Sequence, residues 1–178
     1  MILKKPVVKF CGSNLKTKED IAKVIRAIHC YNKPIVIVVS ALYGVTDSLI
    51  RTLHEARSDE ASIARMRQNL AESHTRIIDL YIDDAGFREE VLQLLDKRLG
   101  ELEKHLRGIH YLGDIPDFVE DRVLSYGERL SSMVLSSVLN YRGIFCRECL
   151  PEDLGLMTNG EYRNAAVDFS LSRDTVRN

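Results

Sequence analysis

Six consecutive residues near the start of the chain, Lys9-Phe10-Cys11-Gly12-Ser13-Asn14, combine a cation, a residue with no side chain and two polar side chains. They follow a short β-branched run and precede a helical pattern, which puts the lysine at the C-terminal end of a strand and the glycine in the turn beyond it. The chemistry open to such a run is phosphate binding: the ammonium meets a phosphate as a point charge while free backbone N–H groups of the turn contact the same oxygens. Phosphoryl transfer asks chiefly for that positioning and charge neutralisation. The run is not a Walker A loop, because the spacing and the Gly-Lys-Ser/Thr ending are missing. A lysine at a strand end before a glycine turn is also an ordinary structural arrangement, so this run alone leaves both uses open.

A second group lies far along the chain, in Ser125-Tyr126-Gly127-Glu128. Gly127 stands inside an otherwise helical pattern, where it costs about 1 kcal/mol relative to alanine. Close approach of a ligand or a neighbouring backbone would account for that loss. The same four residues fit the Ser-x-x-Glu capping box, which would explain Glu128 without any ligand. Ser40 and Thr46 flank the start of a helix, where hydroxyl residues commonly serve as caps. Cys146 and Cys149 have the spacing of a redox or zinc pair, but no second pair or paired histidines complete a metal site, and free thiols near a strand are expected.

The elements that must position these residues are an alternation of strands and helices. Val7 to Phe10 and the apolar run of residues 35–39 read as strands buried in a parallel sheet. Between them Thr17 and Asp20 have capping-box form, and Ile21, Val24, Ile25 and Ile28 recur at helical spacing, giving a right-handed βαβ unit. A helix carrying Leu49, Ile50 and Leu53 follows. Two amphipathic segments come next, marked by Ile63, Met66, Leu70, Ile77 and Tyr81 and by Leu92, Leu95, Leu99, Leu102 and Leu106, with the turn at residues 83–86. They predict a helical excursion over about residues 58–110. From Pro116 the chain turns helical through Val123, Leu130, Val134, Val138 and Tyr141, and Arg142-Gly143 ends that helix before a third strand at Ile144-Phe145-Cys146. A loop over residues 151–164 leads to a helical tail. Such a tail on a parallel sheet normally leads into a further strand, so the chain is expected to be part of something longer.

With 178 residues and 45% hydrophobic content, the chain can bury one sizeable core. A formal net charge of −1, with both signs interleaved, gives no footprint for nucleic acid or an anionic membrane. The longest apolar stretches fall far short of the roughly 20 residues that a bilayer-spanning helix needs. Residues 1–6 lack the apolar core and cleavage site of a secretory signal. With four cysteines expected to be reduced, a cytoplasmic setting is expected.

Lys9 to Asn14 resembles the Lys-Phe-Gly-Gly-Thr-Ser opening of aspartokinases. Val39-Ser40-Ala41, with Thr46-Asp47 beyond it, resembles that family's Val-Ser-Ala segment and the threonine that follows. Ser125-Tyr126-Gly127-Glu128-Arg129-Leu130-Ser131 resembles its Gly-Glu segment. The stretch from Met157-Thr158-Asn159-Gly160-Glu161-Tyr162 to Asp168 looks like a loop of the lysine-sensitive type. Order and spacing agree over essentially the whole chain.

The resemblance implies the N-terminal lobe of an α/β, three-layer αβα, amino acid kinase-like (carbamate kinase-like) fold, with a mostly parallel sheet. It implies an enzyme that moves the γ-phosphoryl group of ATP, carried with Mg, onto the β-carboxylate of aspartate, in a path toward lysine, threonine and methionine. Lys9 would be catalytic and bind ATP phosphates with Gly12 and Ser13, while Ser40, Thr46 and Glu128 would hold aspartate. Glu128 can pair with the substrate ammonium and the hydroxyls with its carboxylates. No protein metal ligand is implied, nor a nucleic-acid or membrane partner, and the full-length parent would be a homo-oligomer. Three positions depart from the pattern: Cys11, Ser13 and Asn14 replace Gly, Thr and Ser. A side chain at position 11 would crowd a backbone that needs close approach or positive φ. The family's Gly-Arg-Gly-Gly-Ser-Asp loop, nucleotide-binding half and regulatory domains are not in these 178 residues, so the piece alone is expected to be inactive. A non-catalytic binding or regulatory module, or a sister kinase acting on another amino acid, are the alternatives.

Overall fold

Two short valine-rich strands organise the N-terminal part of the molecule. In a computed structural model that describes residues 5–177, β1 (Val7–Phe10) and β2 (Val36–Val39) pair in parallel, Val7 beside Val36 and Phe10 beside Val39. Residues 1–4, on which the expectation about an export signal partly rests, and residue 178 lie outside the described residues. Side chains alternate across the sheet. Val8, Phe10, Ile37 and Val39 join the core, and Val7, Lys9, Val36 and Val38 are exposed on the other face.

The connection between the strands is α1 (Lys18–His29). Thr17 caps it, its hydroxyl oxygen accepting from the Asp20 N–H at 3.1 Å. Ile21, Val24, Ile25 and Ile28 form its buried stripe. After β2, α2 (Val45–Ala56) leads into the long pair α3 (Ala61–Tyr81) and α4 (Ala85–Leu112), joined by residues 82–84. So short a link makes the two helices antiparallel neighbours. Ala85 and Gly86, expected in the turn, are already helical because the Asp84 carboxylate accepts from the Phe87 N–H at 2.8 Å and starts α4 early. Buried leucines at positions 95, 99, 102 and 106 seat α4 against α3 and α6. Then come α5 (Asp117–Leu124), α6 (Tyr126–Tyr141) and, after a long loop, α7 (Phe169–Arg177). Among the described residues no helix is long and apolar enough to cross a membrane.

The expected third strand at Ile144-Phe145-Cys146 is not formed. Gly143, at φ 77°, closes α6 with the Ile144 N–H reaching back to the Leu139 carbonyl at 2.9 Å. The Asn140 side chain then takes both backbone groups of Cys146, accepting from its N–H at 2.9 Å and donating to its carbonyl at 2.7 Å. With its hydrogen bonds met by a side chain, the segment has no ladder to join, and Phe145 is 94% exposed. Just beyond, the Arg98 guanidinium of α4 grips the Glu148 carboxylate through two nitrogens, at 2.8 and 2.5 Å, and the Ser132 hydroxyl donates to the same carboxylate. This half-buried fork ties the segment to α4 and α6.

One polar side chain lies wholly inside the helical stack. His74 of α3 donates from Nδ1 to the Leu70 carbonyl at 2.7 Å, and its Nε2 has no hydrogen-bond partner. Burial pushes its pKa down from 6.5 to about 4. Above pH 6.5 the ring is neutral folded or unfolded, while below it the unfolded chain takes a proton that the folded chain refuses until about pH 4. This contribution to stability is therefore whole above pH 6.5 and is lost as pH falls toward 4, an amount on the order of 3 kcal/mol. Urea unfolding at pH 7 and pH 4.5 should show the native chain losing about 2 kcal/mol more than His74→Leu over that interval. Equal losses in the two proteins would refute it.

Candidate functional site

The C-terminal ends of β1 and β2 open into two loops that touch. Past β1, a single 3-10 turn, Gly12–Leu15, begins after Cys11. Its backbone is held by the Asn14 side chain, which accepts from the Cys11 N–H at 2.9 Å, and by the Asn14 N–H donating to the Cys11 carbonyl at 2.8 Å. Past β2, the Ser40 N–H donates to the Phe10 carbonyl at 3.0 Å, so the pairing of the strands continues into residues 40–44. Gly44, at φ 81°, starts α2 without a side-chain cap. Positive φ there is what a glycine supplies cheaply.

Ala41 is where the segments meet. A Cβ on Gly12 would stand 3.2 Å from the Ala41 carbonyl oxygen, closer than ordinary van der Waals contact. A Cβ on Gly127 would fall 2.7 Å from the Ala41 Cβ, which no pair of side chains tolerates. From the first turn of α6 the Glu128 Oε1 accepts from the Ala41 N–H at 3.3 Å. One turn on, the Ser131 hydroxyl donates to the Ser40 carbonyl at 2.8 Å. The glycine turn after β1, the loop after β2 and the start of α6 are thereby locked together at one end of the sheet.

These contacts decide between uses that the sequence leaves open. Ser125 and Glu128 form no capping box: Ser125 has helical φ and ψ, its hydroxyl donates to the Arg122 carbonyl, and Glu128 reaches to Ala41 instead. Neither Ser40 nor Thr46 caps α2, since Gly44 occupies that position. Thr46 lies exposed in the first turn of α2, and neither its hydroxyl nor that of Ser40 makes a hydrogen bond among the described residues. Cys11 adopts φ −84° and is exposed, so a side chain there neither strains the turn nor blocks the contact with Ala41, which falls on Gly12.

Lys9 leaves the sheet on the exposed face, beside Val38, and has no ion-pair partner among the described residues. Glu128 comes from the core side, so the cation and the carboxylate flank the strand ends rather than touch. Exposed Glu128 keeps a second oxygen that no described residue engages. The arrangement offers an ammonium beside a glycine turn, a carboxylate fixed by a backbone N–H, and two free hydroxyls, Ser40 on the loop after β2 and Thr46 in the first turn of α2. An open groove of about 490 Å³ lies elsewhere, along α3 and α4 beside Ala71, Leu92 and Asp96. Among the described residues no group of three or more histidine, cysteine, aspartate or glutamate side chains is gathered to hold a metal. The sequence alone assigns no role to Ser131 or Ala41. Their signal was the helical spacing of Ser131 from Glu128 and the small residue after Ser40.

The model of the family described as "Amino acid kinase family" matches residues 4–178. Aspartokinase 1, chloroplastic, of Arabidopsis thaliana is 28% identical over 166 residues, covering 90% of this chain and 28% of its own length. The aspartokinase of Chlamydia pneumoniae is 27% identical over 178 residues, covering 96% of this chain and 35% of its own. The chain thus spans about a third of the length of these relatives. Escherichia coli aspartokinase III, solved in complex with aspartate and ADP, superposes with a TM-score of 0.83 at 15% identity, over 98% of this chain and 37% of that one. The likeness shows a shared fold.

The crowding at Gly127 gives the contact a sign that can be measured. Gly→Ala in an ordinary helix stabilises by up to about 1 kcal/mol. Here Gly127→Ala should instead destabilise by about 1–3 kcal/mol in urea unfolding, because the new methyl displaces Ala41. Adding Ala41→Gly should recover part of the loss, and a stabilised Gly127→Ala chain would mean that the two backbones do not meet this closely.

Proposed function

Because the chain belongs to the amino acid kinase family, we propose that it is the amino-acid-binding part of an aspartate kinase, an enzyme that phosphorylates the β-carboxylate of aspartate with MgATP. The observation that carries this reading is the meeting of Gly12, Ala41 and Glu128 at the strand ends. In open α/β sheets, ligands gather at that end. Support comes also from relatives named aspartokinase and from a neighbour of the same fold solved with aspartate and ADP.

In this reading the free oxygen of Glu128 receives the substrate ammonium, and the Ser40 and Thr46 hydroxyls donate to its carboxylates. Lys9, with the backbone of Gly12 and Ser13, neutralises phosphate. The β-carboxylate oxygen attacks the γ-phosphorus in line, a new O–P bond forms as the bond to the β-phosphate oxygen breaks, and ADP leaves with that electron pair. What the protein supplies is position and charge. The metal enters with the nucleotide as part of the substrate. We place the product at the head of lysine, threonine and methionine synthesis. The loop of residues 157–168 favours the lysine-sensitive type, a homo-oligomer is the expected parent assembly, and the four free cysteines suit a reducing cytoplasm.

Glu128→Gln tests this directly, because glutamine can still accept from the Ala41 N–H but has no charge for an ammonium. Calorimetry should find that L-aspartate binds the native chain and binds Glu128→Gln about tenfold or more weakly, the worth of one charge-assisted hydrogen bond. Failure of the native chain to bind aspartate, or equal binding by both, would overturn the proposal. Spanning about a third of its relatives, the chain alone should release no ADP in response to aspartate. Aspartate-dependent ADP release would refute that part.

A further inference from the structure

Lys16 immediately follows the glycine turn, anchored by buried Leu15, and its ammonium stands 4.3 Å from the centroid of the Tyr43 ring. Tyr43 belongs to the other loop of the site: its Cα lies 4.0 Å from where a Cβ on Gly12 would be, and its side chain is 61% exposed. The lysine therefore spans the gap between the two loops at the strand ends. Among the described residues no carboxylate lies within ion-pair distance of it; Asp20, four residues on, is engaged by Thr17 and Lys23. A cation held only by an exposed ring is held weakly, by a factor of about two to five in an equilibrium constant. A charge-assisted hydrogen bond to an anionic oxygen is worth about tenfold or more. An anion arriving at the glycine turn would therefore draw the ammonium off the ring.

We propose that Lys16 is a second phosphate-binding cation of this site, parked on Tyr43 until a polyphosphate group occupies the turn that Lys9 flanks. The inference rests on the kinase reading above and adds to it a residue that reads the nucleotide rather than the amino acid. Lys16 belongs to the same loop as Gly12 and Ser13, whereas the acceptor side is built on Ala41 and Glu128. Tyr43 has the opposite effect to a ligand-binding residue: it competes with the ligand for the cation.

Titrating the ¹⁵N-labelled chain by NMR with inorganic tripolyphosphate and, separately, with L-aspartate at constant ionic strength tests this. Tripolyphosphate should shift the amides of Gly12, Ser13, Lys16 and Tyr43. Lys16→Met should weaken it about three- to tenfold while leaving aspartate affinity and thermal midpoint unchanged, and Lys16→Arg should retain it. Tyr43→Leu, which removes the resting place, should tighten tripolyphosphate about two- to fivefold, a gain that a merely structural ring would not produce. If Lys16→Met binds tripolyphosphate as the native chain does, or the native chain binds none, the proposal fails while an aspartate response sensitive to Glu128→Gln keeps the kinase reading. Loss of aspartate affinity in Lys16→Met would assign the cation to the amino acid and overturn its phosphate role. A native chain that answers neither ligand would sink both.

Discussion

Everything at the C-terminal ends of the two strands depends on how little room there is around Ala41. Its N–H is taken by Glu128, its carbonyl oxygen lies against Gly12, and its methyl lies against Gly127. Two other chain segments, one well before it and one far beyond it in sequence, are brought to one alanine, and each comes so near by presenting a glycine. Backbones that approach this closely leave few ways to be wrong. A rotation of α6 that moved Gly127 away would also part Glu128 from the Ala41 N–H and Ser131 from the Ser40 carbonyl, so the three contacts stand or fall together.

The helices far from the strands serve that closeness. Buried residues run the length of α6, from Tyr126 and Gly127 in its first turn to Leu130, Val134, Val138 and Leu139 in the core. The long hairpin of α3 and α4 supplies much of the surface they pack on. Arg98 of α4 donates to the Arg129 carbonyl of α6 and also clamps Glu148, so the axial position of α6 is set by a charged fork as well as by apolar packing. On the opposite side, the Tyr81 hydroxyl at the end of α3 donates to the Lys18 carbonyl at the start of α1. The excursion is thus connected to the glycine turn through α1, which follows it, and to the loop after β2 through α6, which packs on that loop.

Much of this was legible because local signals and burial agreed. The βαβ unit announced itself through Thr17, the isoleucine stripe and two β-branched runs, each of which favours the same local structure. The apolar faces of α3 and α4 were read by period, but the stripe of Met66, Leu70 and Ile78 passes through His74. A histidine there breaks the hydrophobic pattern while keeping its spacing, so period alone did not reveal it as core. Ile144-Phe145-Cys146 misled for the opposite reason. Its composition suits a strand, yet pairing is a non-local property, and the Asn140 side chain met the backbone need before any strand could. Of the site, the resemblance singled out Glu128 and the glycine turn; the partner that joins them, Ala41, carries no functional group by which it could be noticed.

The departures from the family pattern sort themselves by the same geometry. At Cys11 the backbone is extended with negative φ and the side chain points to solvent, so the β-carbon that sequence comparison made worrying costs nothing locally. Gly12 and Gly127, which face backbone and a methyl at short range, are kept. Asn14 in place of serine does more than tolerate the change beside it. Its side-chain oxygen accepts from the Cys11 N–H, a donor that an incoming anion would otherwise find free. In this chain that one N–H is therefore taken internally, and on the proposed phosphate role an anion would have to compete for it. In that proposed role, the competition would lower what the Cys11 N–H can offer and shift part of the work of holding negative charge to side-chain cations beside the turn.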